Sequence, residues 1–373
     1  MRTVGWCLVA VFLCTTAVDA KEKSFQGLGD LTGQGYGSEA RAVSADGSVV
    51  VGSSGTPDGQ QAFVWTQATG MVPLATPAGQ LWSWASAVSI DGDWVAGFAG
   101  SSFGSAAGWE GVRWHVSTGA LDRIAVPGAG VWAKGISGDG SVVVGSAAEE
   151  AFRWTSAGGL VGLGTLYEAL PVSRSNAEAV SADGLVVVGD SIGIDGDTSY
   201  RDAFRWTEGD GMTGLGAFTA VAASTDGAVI AGTISPGTAC DWEAFRWTEA
   251  GGIVPLGTYA PDHDSYAQGA SGDGSRVVGY IEEAGDGPQR AFFWDAPHGI
   301  RLVQDVLEND FGLDLTGWRL TQAWGVSNEG PTIVGRGIHN GVEEAFVAVL
   351  PEPATLSLLA LGALAVIGRR RRK

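Results

Sequence analysis

The chain is 373 residues long and carries 59 Gly and 13 Pro against 17% charged side chains, which suits a turn-dense all-β protein with a full core. Nothing in it reads as a long soluble helix. The formal net charge of -19 repels phosphate backbones and anionic lipid; it argues against a nucleic-acid partner and favours solubility outside the cell.

Residues 1–20 carry Arg2, an apolar run from Val4 to Leu13 and a small-residue exit at Val18-Asp19-Ala20, the layout of a secretory signal peptide. Cys14 follows Phe12 and Leu13 rather than small residues, which disfavours a lipoprotein. Cys240 is then the single cysteine of the mature chain, so no internal disulfide is expected and stability must come from packing.

From Ala40 to Gly335 the chain repeats one unit: Ala-x-small-apolar-Ser-x-Asp-Gly, then a fixed Gly, then an Ala-Phe-x-Trp-Thr block. The repeat serines are Ser44, Ser89, Ser137, Ser181, Ser224, Ser271 and Ser327, spaced 45, 48, 44, 43, 47 and 56 residues apart. Such a period belongs to propellers or helical arrays. β-branched runs such as Val49-Val50-Val51 and Val186-Val187-Val188, bounded by Asp-Gly and Gly, select strands.

Within a unit the first strand carries Ala40 and its counterparts four positions before the serine, and Ala42, Ala87, Gly135, Ala179, Ala222, Gly269 or Gly325 two before it. A period of two places both on one face, small because seven strands converge on an axis. Asp46-Gly47 and its counterparts read as hairpin turns, and Gly52, Gly97, Gly145, Gly189, Gly232, Gly279 and Gly335 as strand-terminal bends. The third strand carries Phe63 and Trp65, Phe152 and Trp154, Phe204 and Trp206, Phe245 and Trp247, Phe292 and Trp294, aromatics on one face that fill the gap to a neighbouring blade. Arg113, Arg153, Arg205 and Arg246 lie between them and are expected to pair with turn aspartates. These blocks resemble the HAF family of extracellular repeats over most of residues 25–350.

The fourth strand reads Gly159 to Gly164, Gly211 to Gly216 and Gly252 to Gly257; the seventh unit lacks one, and Phe25 to Leu31 matches Met212 to Phe218 in register. The expectation is a seven-bladed β-propeller over residues 24–350, closed by its N-terminal strand on the last blade.

Little in the sequence carries chemistry. The four histidines show no metal-ligand spacing. Gly189-Asp190-Ser191-Ile192-Gly193 matches a nucleophile elbow in letters, but a Gly- and Asp-rich loop rather than a helix is expected after it. Asp195 to Ser199 and Asp262 to Ser265 cluster oxygens that calcium prefers but lack the loop Gly and distal Glu of a calcium motif, so turn chemistry is expected and no cofactor is assigned. Trp82, Trp84, Trp94, Trp109, Trp132, Trp242, Trp318 and Trp324 have no slot in the repeat; Trp84 and Trp132 share a register that favours packing, while Trp109 and Trp242 are the candidates for a glycan platform on extracellular polysaccharide.

The chain closes with Pro351-Glu352-Pro353, an uncharged run from Ala354 to Gly368 and Arg369, Arg370, Arg371, Arg372 and Lys373. Fifteen residues reach about 22 Å as a helix, a short span for a ~30 Å hydrocarbon core, and the basic cluster would stop in the cytoplasm with the body outside the inner membrane. This tail, residues 351–373, resembles the PEP-CTERM sorting signal, which implies handling by an exosortase, a membrane protease-transpeptidase. The resulting expectation is an exported, non-catalytic surface or matrix module; an enzyme acting on polysaccharide and an ice- or surface-binding protein are the alternatives. Ice binding would call for a flat threonine array, whereas Thr66, Thr155, Thr207 and Thr248 spread around a ring.

Overall fold

A computed structural model describes residues 23–101, 108–235, 242–283, 287–328 and 330–350. Among them are seven antiparallel sheets of four strands each, the blades of a propeller. Blade 1 runs Ser38–Val43, Val49–Thr56, Gly59–Thr66 and Gly70–Pro73 from the axis outward. The first strand of every blade touches the first strands of both neighbours, which closes the ring.

The last blade draws its outer strand from the other end of the chain. Ser24–Gly27 pairs antiparallel with Val342–Val349, Ser24 opposite Val349 and Gly27 opposite Phe346, the register in which Gly214 opposes Phe204 in blade 4. Phe25 packs edge-on to Trp318 at 5.0 Å and leans on Phe346 at 5.9 Å. Glu344 accepts the Gly29 N–H at 2.9 Å, while its other oxygen lies 2.7 Å from Nδ1 of His339, which stacks on Trp318 at 4.5 Å. The long interval before the seventh unit holds the short helical segments Val303–Asp305 and Val306–Asp310, whose Val303, Val306 and Leu307 are buried between blades 6 and 7.

Each pair of adjacent blades encloses its own apolar cluster. Phe63, Phe152, Phe204, Phe245, Phe292 and Phe346 are fully buried there, each worth roughly 1.5–3 kcal/mol relative to exposure. The expected aromatic filling between blades is what the third strands provide.

Two details of the first strand differ from expectation, and one cause explains both. In blade 1 Ala40 opposes Gly52 and Ala42 opposes Val51, so a β-bulge inserts residue 41 and the period of two breaks. The same shift recurs in all seven blades. Ala40 and Ala42 therefore do not share a face. The repeat glycine is not a strand end either, since Val49–Thr56 continues through Gly52. A Cβ there would lie 1.9 Å from the Glu39 carbonyl that the bulge turns toward it, and its counterparts on Gly97, Gly145, Gly189 and Gly279 meet the same contact at 1.9 Å. Only glycine leaves that space.

The Ser-x-Asp-Gly turn is a closed local network. Ser181 Oγ donates to Asp183 Oδ1 at 2.6 Å and accepts the Val186 N–H at 2.9 Å, and Asp183 also accepts the Leu185 N–H at 3.0 Å. Blades 1, 2, 3, 5 and 6 repeat the serine–aspartate bond. The residue after the serine then joins its blade to the next around the axis. Ala45 donates its N–H to Ile90 O, Ile90 to Gly138 O, Gly138 to Ala182 O, Ala182 to Thr225 O, Thr225 to Gly272 O and Asn328 to Ala45 O, at 2.7 to 3.1 Å. Between Gly272 and Asn328 the acceptor is the Asn328 side-chain oxygen.

The turn aspartates being satisfied locally, the interblade arginines go elsewhere. Arg113, Arg153 and Arg246 donate to the carbonyl oxygens of Gly140, Gly184 and Gly274 in the turn of the following blade, at 2.7, 3.1 and 2.8 Å. Arg113 adds an ion pair, 2.6 Å, to Asp122 on its own fourth strand. Arginine–carbonyl bonds thus replace the expected arginine–turn-aspartate pairs. Arg205 lines a shallow surface cleft with Asp210 and Glu249.

Candidate functional site at the axial mouth

The bulge that breaks the first strand also builds the most prominent cavity on the axis. The inserted residue of each blade, Arg41, Ser86, Lys134, Glu178, Val221, Gln268 or Trp324, lines a central space of about 500 Å³ at the end opposite the backbone ring. Next to each stands the small residue of the repeat. A Cβ on Gly135 would come within 3.1 Å of the Ala179 backbone and one on Gly269 within 2.3 Å of the Trp324 carbonyl, so small side chains let neighbouring strands close up while the inserted residue reaches the cavity.

The lining is chemically mixed. Arg41 pairs with Glu39 at 2.9 Å and lies 4.0 Å over the Trp324 ring, and Arg336 lies 3.4 Å from Glu343 and 5.3 Å from that ring. Lys134 pairs with Glu178. Although 25% of the Glu178 side chain is open to the cavity, the protein surrounds it, and this burial pushes its carboxyl above the usual range, with Lys134 partly offsetting the effect. On the blade 2 side Trp84 stacks on Phe98 at 5.4 Å.

Beside the mouth, a second cavity of about 320 Å³ lies between blades 5 and 6 and shares Val221 and Gln268 with the first. Its walls are Phe218, Trp242 and Tyr266, with Thr219 and Thr233. Phe218 meets Trp242 edge-on at 4.4 Å, and Tyr266 lies 6.3 Å from Trp242 and stacks on Tyr280 at 4.8 Å. Burial and then the nearby Asp264 carboxylate push the Tyr266 hydroxyl upward, so it stays neutral.

Of the two tryptophans read as glycan platforms, the structure separates one from the other. Trp109 is 9% exposed and packs on Trp84 at 5.3 Å and on Phe98 at 5.8 Å, so its place is in a buried aromatic cluster, a correction to the platform reading. Trp242 is half-buried and forms a wall of the second cavity. Sequence reasoning missed the inserted residues, which were passed over as the unspecified letter in Ala-x-small. It also missed Ser38, Ser83, Ser175 and Ser265, buried hydroxyls that accept the N–H of Ala345, Ala62, Ala151 and Ala244 across the seam from the preceding blade. Their signal was a serine six positions before the repeat serine in four units.

The letter match to an esterase elbow finds no elbow. Gly189 to Gly193 lies inside the strand Val186–Asp195, which is followed by a hairpin turn into Thr198–Thr207 and not by a helix, and Ser191 is fully buried, donating to Arg174 O and accepting the Leu166 N–H, both at 3.0 Å. Asp195 opposes Thr198 across a hairpin, and Asp264 accepts the Trp242 N–H at 2.9 Å. Among the described residues no group of three His, Cys, Asp or Glu side chains could hold a metal ion. Thr66, Thr155, Thr207 and Thr248, in blades 1, 3, 4 and 5, each accept the N–H three residues on and so cap turns.

Residues 349–373 carry a PEP-CTERM protein-sorting motif. The chain is therefore an exported protein whose sorting signal is of the kind handled by exosortase. Pro351, Glu352, Pro353, the expected membrane helix, Arg369 to Arg372 and Lys373, like the signal peptide and Cys240, lie outside the described residues. Among the described residues no helix is long and apolar enough to cross a membrane. Comparison with curated proteins gives no match. Among solved structures the chain is similar to the β-propeller domain of the Trilobed protease from Pyrococcus furiosus, with 13% identity, 84% of this chain and 93% of that one covered, and a TM-score of 0.52. That domain is described as having an open velcro topology, whereas here the first strand closes the last blade. TolB from Acinetobacter baumannii is 11% identical over 81% of this chain and 79% of its own, with a TM-score of 0.44. TolB from Agrobacterium tumefaciens is 16% identical over 84% and 90%, with a TM-score of 0.42. At these identities the likeness concerns the fold alone.

Proposed function

We infer that this protein is a non-catalytic binding module of the cell surface or extracellular matrix, delivered there through its sorting signal, and that its ligand docks at the axial mouth. The observation that carries this reading is the convergence of seven inserted side chains on one cavity, from a repeat that otherwise keeps its axial residues small. A rigid ring that presents varied side chains at one end suits recognition. No carboxylate pair or nucleophile–base pair is assembled among the described lining residues, so the reading assigns no reaction.

The propeller from Ser24 to Leu350 contains both partners of its own closure, so it can be screened alone on glycan and peptide arrays. Binding that weakens in Arg41→Ser or Lys134→Ala, with thermal unfolding unchanged, supports the reading. Release of reducing or unsaturated sugar ends from polysaccharide would replace it with an enzymatic one.

A further inference from the structure

We propose that the cavity between blades 5 and 6 is a subsite for one uncharged sugar ring of a polysaccharide whose chain continues into the axial mouth. This proposal rests on the reading of the mouth as a binding site and assigns its ligand class.

One departure from the repeat, Phe218, converges on this cavity with two aromatics at positions that are aromatic also in blade 2. Where four other blades place the serine that ties a blade to its neighbour, blade 5 places Phe218, giving up that hydroxyl bond. Trp242 stands two residues before the Ala-Phe block, where blade 2 has Trp109 and the other five units have Gln60, Glu149, Arg201, Gln289 or Glu343. Tyr266 stands five residues before its serine, a position that is also aromatic in Trp84 and Trp132 and is Glu39, Asn176, Thr219 or Gln322 in the other units. Phe218 sets this site apart from blade 2: there Ser83 keeps its bond to Ala62 and Trp109 packs buried on Trp84, whereas here Phe218 and Trp242 line an open cavity.

The aromatic walls are held in place before any ligand arrives. Asp264 accepts the Trp242 N–H at 2.9 Å, Trp242 O accepts the Ser265 N–H at 2.9 Å, and Arg201 lies 4.3 Å over the Phe218 ring while paired at 3.1 Å with Asp190. The first two bonds hold the Trp242 backbone and the third contact the Phe218 ring, which lowers the ordering cost of binding.

The chemistry of the lining selects the occupant. No lining residue carries a charge, and the nearest charged groups, Asp264 and Arg201, stand beside Tyr266 and Phe218, engaged with Trp242 and Asp190, so the cavity favours an uncharged group. Aromatic faces suit the C–H face of a sugar ring, and the Thr219 hydroxyl and Gln268 amide stand at the edge, where ring hydroxyls need partners. An apolar peptide side chain would use the faces and leave the edge groups unsatisfied. Gln268 also lines the axial cavity, so a linear chain can pass from one to the other.

The test titrates the propeller with gluco-, galacto-, manno- and xylo-oligosaccharides, using uronate and sulfated oligosaccharides and a peptide library as controls, and follows tryptophan fluorescence and calorimetry. The expected result is saturable binding of a neutral oligosaccharide, weakened at least about tenfold in Trp242→Ala and in Phe218→Ser. Phe218→Ser places there the residue found in four other blades but removes the ring's contacts with Trp242 and Arg201, so its thermal unfolding is measured alongside and loss of binding counts only for a folded variant. If Lys134→Ala abolishes sugar binding while both aromatic variants bind normally, the subsite is overturned and the axial reading stands. If only charged glycans or peptides bind, and do so at Lys134, the sugar class is overturned and the axial reading again stands. Absence of binding to all three panels overturns both.

Discussion

The residue just after the repeat serine and the residue three before it sit at opposite ends of the axial passage, and both vary from blade to blade. At the turn end the variable residue contributes its backbone: Ala45, Ile90, Gly138, Ala182 and Thr225 all hand an N–H to the next blade, whatever their side chains. At the mouth it contributes its side chain, because the bulge lifts it out of the ladder and into the cavity. Equal variability thus hides two different reasons, indifference at one end and chemical diversity at the other. Only the register of the bulge tells them apart.

The comparison is broken most severely through the glycine that admits the bulge. Gly189→Val places a side chain on the Asn176 carbonyl and is expected to cost on the order of 4 kcal/mol or more, enough to leave the blade unfolded. Gly209→Ala, with open space around it, should leave the urea midpoint within experimental scatter. A smaller loss is expected at the turn end. Ser181→Ala leaves the Val186 N–H and Asp183 without their fully buried partner, a cost of about 1–3 kcal/mol readable by urea unfolding.

Acid sharpens the comparison because the two ends titrate with opposite sign. The Ser181 hydroxyl and Leu185 N–H hold Asp183 below its usual 3.8, and the Ser224 hydroxyl and Ala228 N–H do the same for Asp226. A depressed carboxyl stabilises the fold above its unfolded value, and this contribution is lost as pH falls from about 3.8 through the folded value. Glu178 is raised instead, so stability falls as pH rises from 4.5 through its folded value and is regained on acidification. The melting temperature of Glu178→Gln should therefore vary less than that of the parent above pH 4.5, and that of Asp183→Asn less below 3.8. Among the axial side chains a small effect on stability is expected for Arg41→Ser, an exposed side chain in a surface ion pair, at under about 1 kcal/mol. A loss of several kcal/mol there would mean that the mouth is scaffold rather than site.

Much of the fold was legible because a repeat states its period, its turns and its closing strand in residue types: Asp-Gly for the hairpins, Phe for the seams, and Phe25 in the register of Met212. The bulge was not, because one added residue looks like ordinary alternation until the partner strand is known, and Gly52 then reads as an ending instead of an allowance for a carbonyl. The arginines were misassigned for a related reason. A sequence shows that an aspartate is near but not that its oxygens are already occupied by Ser181 and its counterparts. The candidate site was half legible, since Trp242 stood out by having no slot in the repeat, whereas Phe218 and the inserted residues did not. Trp109 stood out equally and is packed away against Trp84.

Closure by the first strand has a consequence for how the molecule is held. Leu350 donates its N–H to Pro331 O beside the last Ser-to-Gly turn, at 2.9 Å, and Ser24 lies opposite Val349, so both chain ends depart from the turn side of blade 7. The sorting motif, residues 349–373, follows in sequence from that side. A tethered ring would therefore stand on its backbone-bonded base and hold Arg41, Lys134, Gln268 and Trp242 toward the surroundings, the first groups that an arriving polymer meets.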